Sequence, residues 1–294
     1  MTWMALRWVW RLEAPLFVGM PPAGALNRCR LYLPARAMHA AVTAELARLN
    51  GDGKSGFPDY GKFGHEVGLN CRFTYLFPAE KRGGKFLAWM PKFESARGLQ
   101  WYRHDGEESL SDRDFRRRLL DSRPGTAIAP ETDSASEGTL RETECINPWW
   151  RDSNCHGETN AMLLLGYVFL RNNGFRRQLD NIDTLFVGGD TRYGLGKICR
   201  MGWHEVSGDL SVFGKRVHLD REHPQIQSDI VWGHALEGGQ PEIHGMQGAK
   251  ELLGGWDQGS PWGRALTWAP GSFLERRVAW SIDNYGYWIH QDKR

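Results

Sequence analysis

The stretch VGGDTRYGLGKI, residues 187–198, constrains this chain more than any other. Four glycines in twelve positions follow directly on the apolar run Leu185-Phe186-Val187. Glycine gives up more backbone freedom on folding than any other residue, so such a cluster belongs where the backbone needs positive φ or must be approached closely. A dinucleotide-binding loop requires GxGxxG between a strand and a helix, and a P-loop requires GK[ST]. Here the order is GGxxxxGxG and the following KICRMGWHEV reads as a strand, which excludes both. Two readings stay open. One is a bulged connection between two strands. The other is an anion cradle, in which amides freed of side-chain crowding face phosphates, Arg192 and Lys197 supply charge, and Tyr193 offers a face for a base.

Net charge does not decide between them. A formal charge of +2 is too mild to identify a polyanionic partner, so any nucleic-acid site must come from local clustering. The 294 residues, 41% hydrophobic and 24% charged, suffice for a sizeable core in one large domain or two modest ones. No apolar run is long enough to cross a bilayer, and no membrane partner is expected. Near the N-terminus Leu6, Trp8, Trp10 and Leu12 alternate with Arg7, Val9, Arg11 and Glu13. This is the pattern of a half-buried strand and not of an export signal, and it predicts a cytoplasmic protein. The five cysteines (Cys29, Cys71, Cys145, Cys155, Cys199) form no CxxC. Cys145, Cys155 and His156 lack a fourth ligand, so reduced thiols and no metal are expected.

Along the chain, 35–49 reads as an Ala-rich helix and 50–65 as a glycine-rich loop. Two strands should flank the Gly83-Gly84 turn, and 110–122 should hold a short helix capped by Ser111 or Asp112. A solvated face is the expectation for Arg116, Arg117 and Arg118. Residues 123–144 read as a mobile loop or long hairpin. NAMLLLGYVFLRNN (160–173) reads as an apolar helix closed by Gly174. NIDTLFV and KICRMGWHEV are strands on either side of the glycine stretch. From 205 onward six tryptophans punctuate glycine and proline loops, with AKELLGGW hinting at a short helix and RRVAWSID at a late strand.

At this point the sequence resembles a known family. LFVGGDTRYGLGKI is similar to the glycine-rich loop of the RAMP superfamily, the RNA-binding proteins of CRISPR effector complexes. PLFVG followed by LYLPARAMHAAVTAEL resembles the family's opening, and TAIAPETDSASEGTLRETECI (126–146) resembles the insertion of many type III members. These segments cover most of residues 1–203 in the expected order. The resemblance implies an α+β fold with a ferredoxin-like, RRM-type antiparallel sheet core over 1–204. The insertion near 123–146 would project as a hairpin or thumb, and 205–294 would be a Trp-rich extension or small second domain. It implies assembly with other complex subunits on CRISPR RNA, with target RNA as a further partner. Gly188, Gly189, Gly194 and Gly196 would shape the loop beside the RNA backbone, with Arg192 and Lys197 near phosphates and Tyr193 beside a base. The loop position resembles the subunit that grips the guide's 5′ tag; the insertion resembles the repeated backbone subunits.

Target-slicing members carry an aspartate between the first strand and first helix, where a carboxylate can position metal or water. The corresponding GMPPAGALNRCR (19–30) has no acidic residue. Slicing is therefore not expected, and Arg28, Arg30 and the nearby Arg36 suit RNA binding instead. The processing branch uses a histidine near the first helix, which makes His39 the one candidate for a metal-independent endoribonuclease; a packed histidine is the alternative. No cofactor is expected. The rival class is a non-nucleic-acid binder whose 14 tryptophans line a ligand groove, against ordinary core packing.

Overall fold

The computed structural model describes residues 2–51, 58–151, 160–206, 211–236, 243–257 and 260–290. In chain order the first part runs β1 (Met4–Leu12), β2 (Leu26–Asn27), α1 (Ala35–Leu49), α2 (Tyr60–Asn70), β3 (Cys71–Phe73), β4 (Phe77–Arg82), β5 (Lys85–Glu94), β6 (Gly98–Arg103), β7 (Ser109–Ser111) and α3 (Asp112–Leu119). It continues with β8 (Leu120–Gly125), β9 (Ile128–Ala129), β10 (Ser134–Ala135), β11 (Arg141–Ile146), β12 (Leu163–Leu170), α4 (Asn173–Asp180), β13 (Thr184–Phe186) and β14 (Lys197–Glu205). The architecture is α+β with mostly antiparallel pairing. The main sheet runs β13-β14-β1-β12-β4-β5-β6-β7, with β3 also on β12. β1 is antiparallel to β12 and β14, and β12 is antiparallel to β4.

Several local readings hold. α1 has the bounds expected and buries Met38, Val42 and Leu46. Gly83 and Gly84, both at positive φ, make the β4–β5 turn, and the Ser111 side chain caps α3 by accepting from the Asp114 amide. Others do not. Residues 163–170 form a strand, because LLLGYVFL is buried at every position and a segment covered on both faces shows no period to read. Gly174 is not a helix end; it opens α4, its amide donating to the Asn172 side chain at 2.7 Å. Part of the expected 50–65 loop is α2, capped by Asp59. It packs on α1, where a Cβ on Gly64 would make an ordinary contact with Thr43 at 3.5 Å. The three arginines of α3 do not share a solvated face. Arg117 is exposed, but Arg118 is 8% exposed, stacked over Trp89 and Trp150 and paired with Glu108, while Arg116 holds Asp112 and the Cys29 carbonyl.

After β14 come β15 (Ser211–Val212), β16 (Lys215–His218), β17 (Gln225–Ile230), β18 (Ala235–Leu236), β19 (Lys250–Asp257), β20 (Ser260–Trp268), β21 (Phe273–Ile282) and β22 (Trp288–His290). They form a second sheet, ordered β15-β16-β17-β21-β22-β18-β20-β19. AKELLGGW is thus strand β19 and not a helix. Trp280 and Trp288 are fully buried and belong to the same hydrophobic cluster as Trp8 and Trp10. Phe213 packs on Phe77 and Tyr167, and Tyr167 stands opposite Arg7 on the face of β1 expected to meet solvent. That face is therefore covered too, which explains why Val9 is as buried as Trp8. Among the described residues no helix is long and apolar enough to cross a membrane.

Candidate nucleic-acid interface

The glycine-rich connection leaves β13 and returns as β14, so it joins two antiparallel neighbours at the sheet edge. The segment Pro15–Phe17, just after β1, is threaded beside it. The Gly196 amide donates to the Pro15 carbonyl at 2.8 Å and the Gly189 amide to the Phe17 carbonyl at 2.9 Å. On its other side the same segment pairs with the insertion: Leu16 and Ile146 exchange both backbone hydrogen bonds. The insertion strands β8 and β11 form a small sheet with β2, which comes from the 19–30 loop. Three segments far apart in sequence thus meet beside the β13–β14 edge of the main sheet.

The glycines are required chiefly by the protein's own backbone. Gly188 and Gly196 have φ of +81° and +78°. A Cβ on Gly188 would lie 2.3 Å from the Phe17 carbonyl oxygen, and one on Gly196 1.9 Å from that of Val187. A Cβ on Gly189 would meet the Phe17 ring at 3.0 Å. The amides of Tyr193 and Gly194 donate to the carbonyls of Asp190 and Thr191 within a 3-10 turn over Thr191–Tyr193. Four amides of the stretch, those of 189, 193, 194 and 196, are therefore engaged inside the protein and do not face an anion. Asp190 also adopts φ +56°, unusual for a residue with a Cβ. Gly194, at φ +80° with nothing within 4 Å of its Cβ position, is the one glycine of the stretch with open space around it.

What the turn presents outward is side chains. Tyr193 is 71% exposed and Phe186, 56% exposed, stands opposite Lys197 in the β13–β14 register. Arg192 and Lys197 are exposed. The guanidinium of Arg141, at the start of β11, sits 5.8 Å from the centre of the Tyr193 ring. Two aromatic faces flanked by three cations can stack on bases while the charges meet phosphates. Sequence reasoning misses Phe186 and Arg141. The alternation Leu185-Phe186-Val187 between buried neighbours signals the first; nothing local signals the second, which arrives through the fold.

The other arginines go elsewhere. Arg28 is half-buried in the loop, and its neighbour Cys29 donates its amide to Glu144 at 2.9 Å, so a carboxylate reaches this loop from β11 and is engaged there. Arg36 lies over Tyr285, 5.0 Å from the ring centre. Arg30 is buried and is not available to RNA: its guanidinium holds Glu251 of the second sheet and the Tyr32 hydroxyl. Glu251 also accepts from His234 Nε2 at 2.9 Å, and His234 Nδ1 accepts from the Tyr75 hydroxyl at 2.7 Å. Burial pushes the Glu251 carboxyl up, but His234 and Arg30 outweigh it and hold it down from 4.5 to about 2. A carboxyl depressed in the folded state stabilises fully above its ordinary range and loses that contribution as pH falls towards about 2. Glu251→Gln is expected to destabilise the protein by about 3–5 kcal/mol at neutral pH, because Arg30 is left buried and unpaired. Acid titration of wild type and variant should bring their stabilities together.

His39 sits on α1 against Phe73 and Tyr285. Burial, then Arg36 and Arg72, lowers its pKa to about 4, so it is neutral at physiological pH. Burial likewise pushes the Cys29 and Cys145 thiols up to about 12 and about 11. Among the described residues no group of three or more His, Cys, Asp or Glu side chains could hold a metal ion. Cys155 and His156 lie outside the described residues.

No family model matches the sequence, and no curated protein matches it. Its fold, however, is similar to that of a chain in the cryo-EM structure of Type III-B Cmr-beta bound to cognate target RNA. The TM-score is 0.54 at 12% identity, over 91% of this chain and 86% of that one. A chain of Type III-B Cmr-beta bound to cognate target RNA and AMPPnP, state 1, gives 0.53 at 12% identity, over 91% and 85%. The protein thus shares, along nearly its whole length, a fold found in Type III-B Cmr-beta.

Proposed function

We propose that this protein is an RNA-binding, RAMP-type subunit of a type III-like CRISPR ribonucleoprotein, acting in the cytoplasm in antiviral defence without slicing RNA itself. One observation carries the reading: Pro15–Phe17, the insertion strand β11 and the glycine-rich connection converge, and the outward side chains there are Phe186, Tyr193, Arg141, Arg192 and Lys197. The topology supports it. β14-β1-β12-β4 is an all-antiparallel run in which α1 lies between β1 and β4 in the chain and α4 between β12 and β14. That is the strand order of a ferredoxin-like core. The fold likeness to chains from target-RNA-bound Type III-B Cmr-beta supports the class of partner.

On this reading the glycines let the connection turn tightly, and the side chains on it grip the guide. The hairpin of β8 to β11, with exposed Ile128 and Leu140 along it, is the thumb that inserts between nucleotides. The absence of an acidic residue in 19–30, and the engagement of Glu144 by a backbone amide, argue against slicing. The packing of His39 between Phe73 and Tyr285 argues against RNA processing; repeat RNA incubated with wild type and with His39→Ala is expected to stay intact in both. Purification of the protein from its native host tests the whole reading. It should bring down other subunits and a small RNA of defined length, and recovery of the chain alone, free of RNA, would refute it.

A further inference from the structure

The second sheet carries a concentration of positive charge that the interface above does not use. Val217, Ile226 and Trp280 are buried and stand opposite one another across β16, β17 and β21. Alternation therefore turns Arg216 and His218 of β16 and Gln225 and Gln227 of β17 to the other face, where Arg277 of β21, exposed beside the irregularity in the β17–β21 register, joins them. There Gly214, Lys215, Arg216, His218, Gln227 and Arg277 line a groove of about 440 Å³. Lys215 is held by Asp229 at 2.5 Å. Arg216 and Arg277 are exposed, and the charge of Arg277 also acts on Asp229. Arg216 and Arg277 give the groove two exposed cations, and no carboxylate is among its described lining residues.

We infer that this groove is a second RNA-contacting surface, which holds the phosphodiester backbone of a single strand without reading its sequence. The groove is rich in guanidinium and amide donors, which suit phosphate oxygens. No aromatic residue is among its described lining, and Trp232, beneath Lys215, is buried and cannot stack on a base. The sheet spacing separates the backbones of β16 and β21 by about 10 Å, close enough for the two arginines to converge on one segment of strand. The inference rests on the RNA-binding reading but concerns a different sheet, so the two can fail separately.

Binding of a single-stranded oligouridylate to the full chain, followed across about 50 to 200 mM salt, tests it. Arg216→Gln with Arg277→Gln should keep the melting temperature of the wild type, weaken binding about 25-fold near 0.1 M salt and flatten the log–log salt slope by about 1.4. Wild-type affinity and slope in this variant, alongside weakened binding in Arg192→Gln/Lys197→Gln, would overturn the groove assignment and leave the proposed function standing. Unchanged binding in both variants would overturn the groove assignment and place the phosphate contacts on a third surface, whereas no binding by the wild type would overturn the proposed function itself. Capture of polyglutamate in place of RNA, lost in the groove variant, would assign the groove to an acidic protein partner and overturn the RNA assignment.

Discussion

Gly196→Val is expected to damage the fold before it damages any RNA contact. Its Cβ would fall 1.9 Å from the Val187 carbonyl oxygen at a residue held at φ +78°. The added side chain meets backbone, which cannot rotate away, and strand β14 begins at the next residue. Strain in the left-handed region and overpacking together cost about 2–6 kcal/mol. For a chain of this size that is a fall in Tm on the order of 10 °C. Gly194→Ala should behave differently, since nothing lies within 4 Å of its Cβ position. It should cost only the left-handed backbone penalty of about 1–2 kcal/mol. Thermal unfolding of the two variants side by side checks this. Equal losses would mean that Gly196 is not closed against the Val187 carbonyl as described.

Arg192→Gln with Lys197→Gln should do the reverse, leaving Tm unchanged while RNA binding falls. Both side chains are exposed at the edge of the sheet. Each neutralised phosphate contact on a single strand contributes about 0.7 to the salt slope, so removing two should lower it by about 1.4 and weaken binding about 25-fold near 0.1 M salt. A salt titration by fluorescence anisotropy measures both quantities. An unchanged slope would place the phosphate contacts on another surface. Adding Tyr193→Ala should lose the stacking of a base, about 1–3 kcal/mol, without a further change of slope.

How far the sequence could be read depended on whether a residue's role was local. The Gly83-Gly84 turn, the Ser111 cap and α1 each answer to neighbours a few positions away, and all were legible. LLLGYVFL was not, because a strand covered on both faces loses the alternation that would identify it. Here the second sheet supplies the unexpected cover. α2 is hidden by its glycines, which weaken the helical signal of a segment that packs on α1 only in three dimensions. The same limit governs the site. Glycines in 187–198 fit either a bulged connection or an anion cradle by sequence, and the choice turns on the carbonyls of Pro15 and Phe17, which take two of the amides from across the fold. Arg30 looked like a phosphate ligand because Glu251, more than 200 residues away, gives no sign of itself in the sequence. Arg192, Tyr193 and Lys197 are exposed where they were expected, joined by Phe186 and Arg141.

The most direct test of the account is ultraviolet cross-linking of RNA to the protein purified with its native partners, with the attached peptides located by mass spectrometry. The account predicts adducts on Phe186 and Tyr193, in the peptide running through Lys197, together with adducts in the peptide that carries Arg141. Cross-links confined to other surfaces, with the 186–197 peptide recovered unmodified, would contradict it.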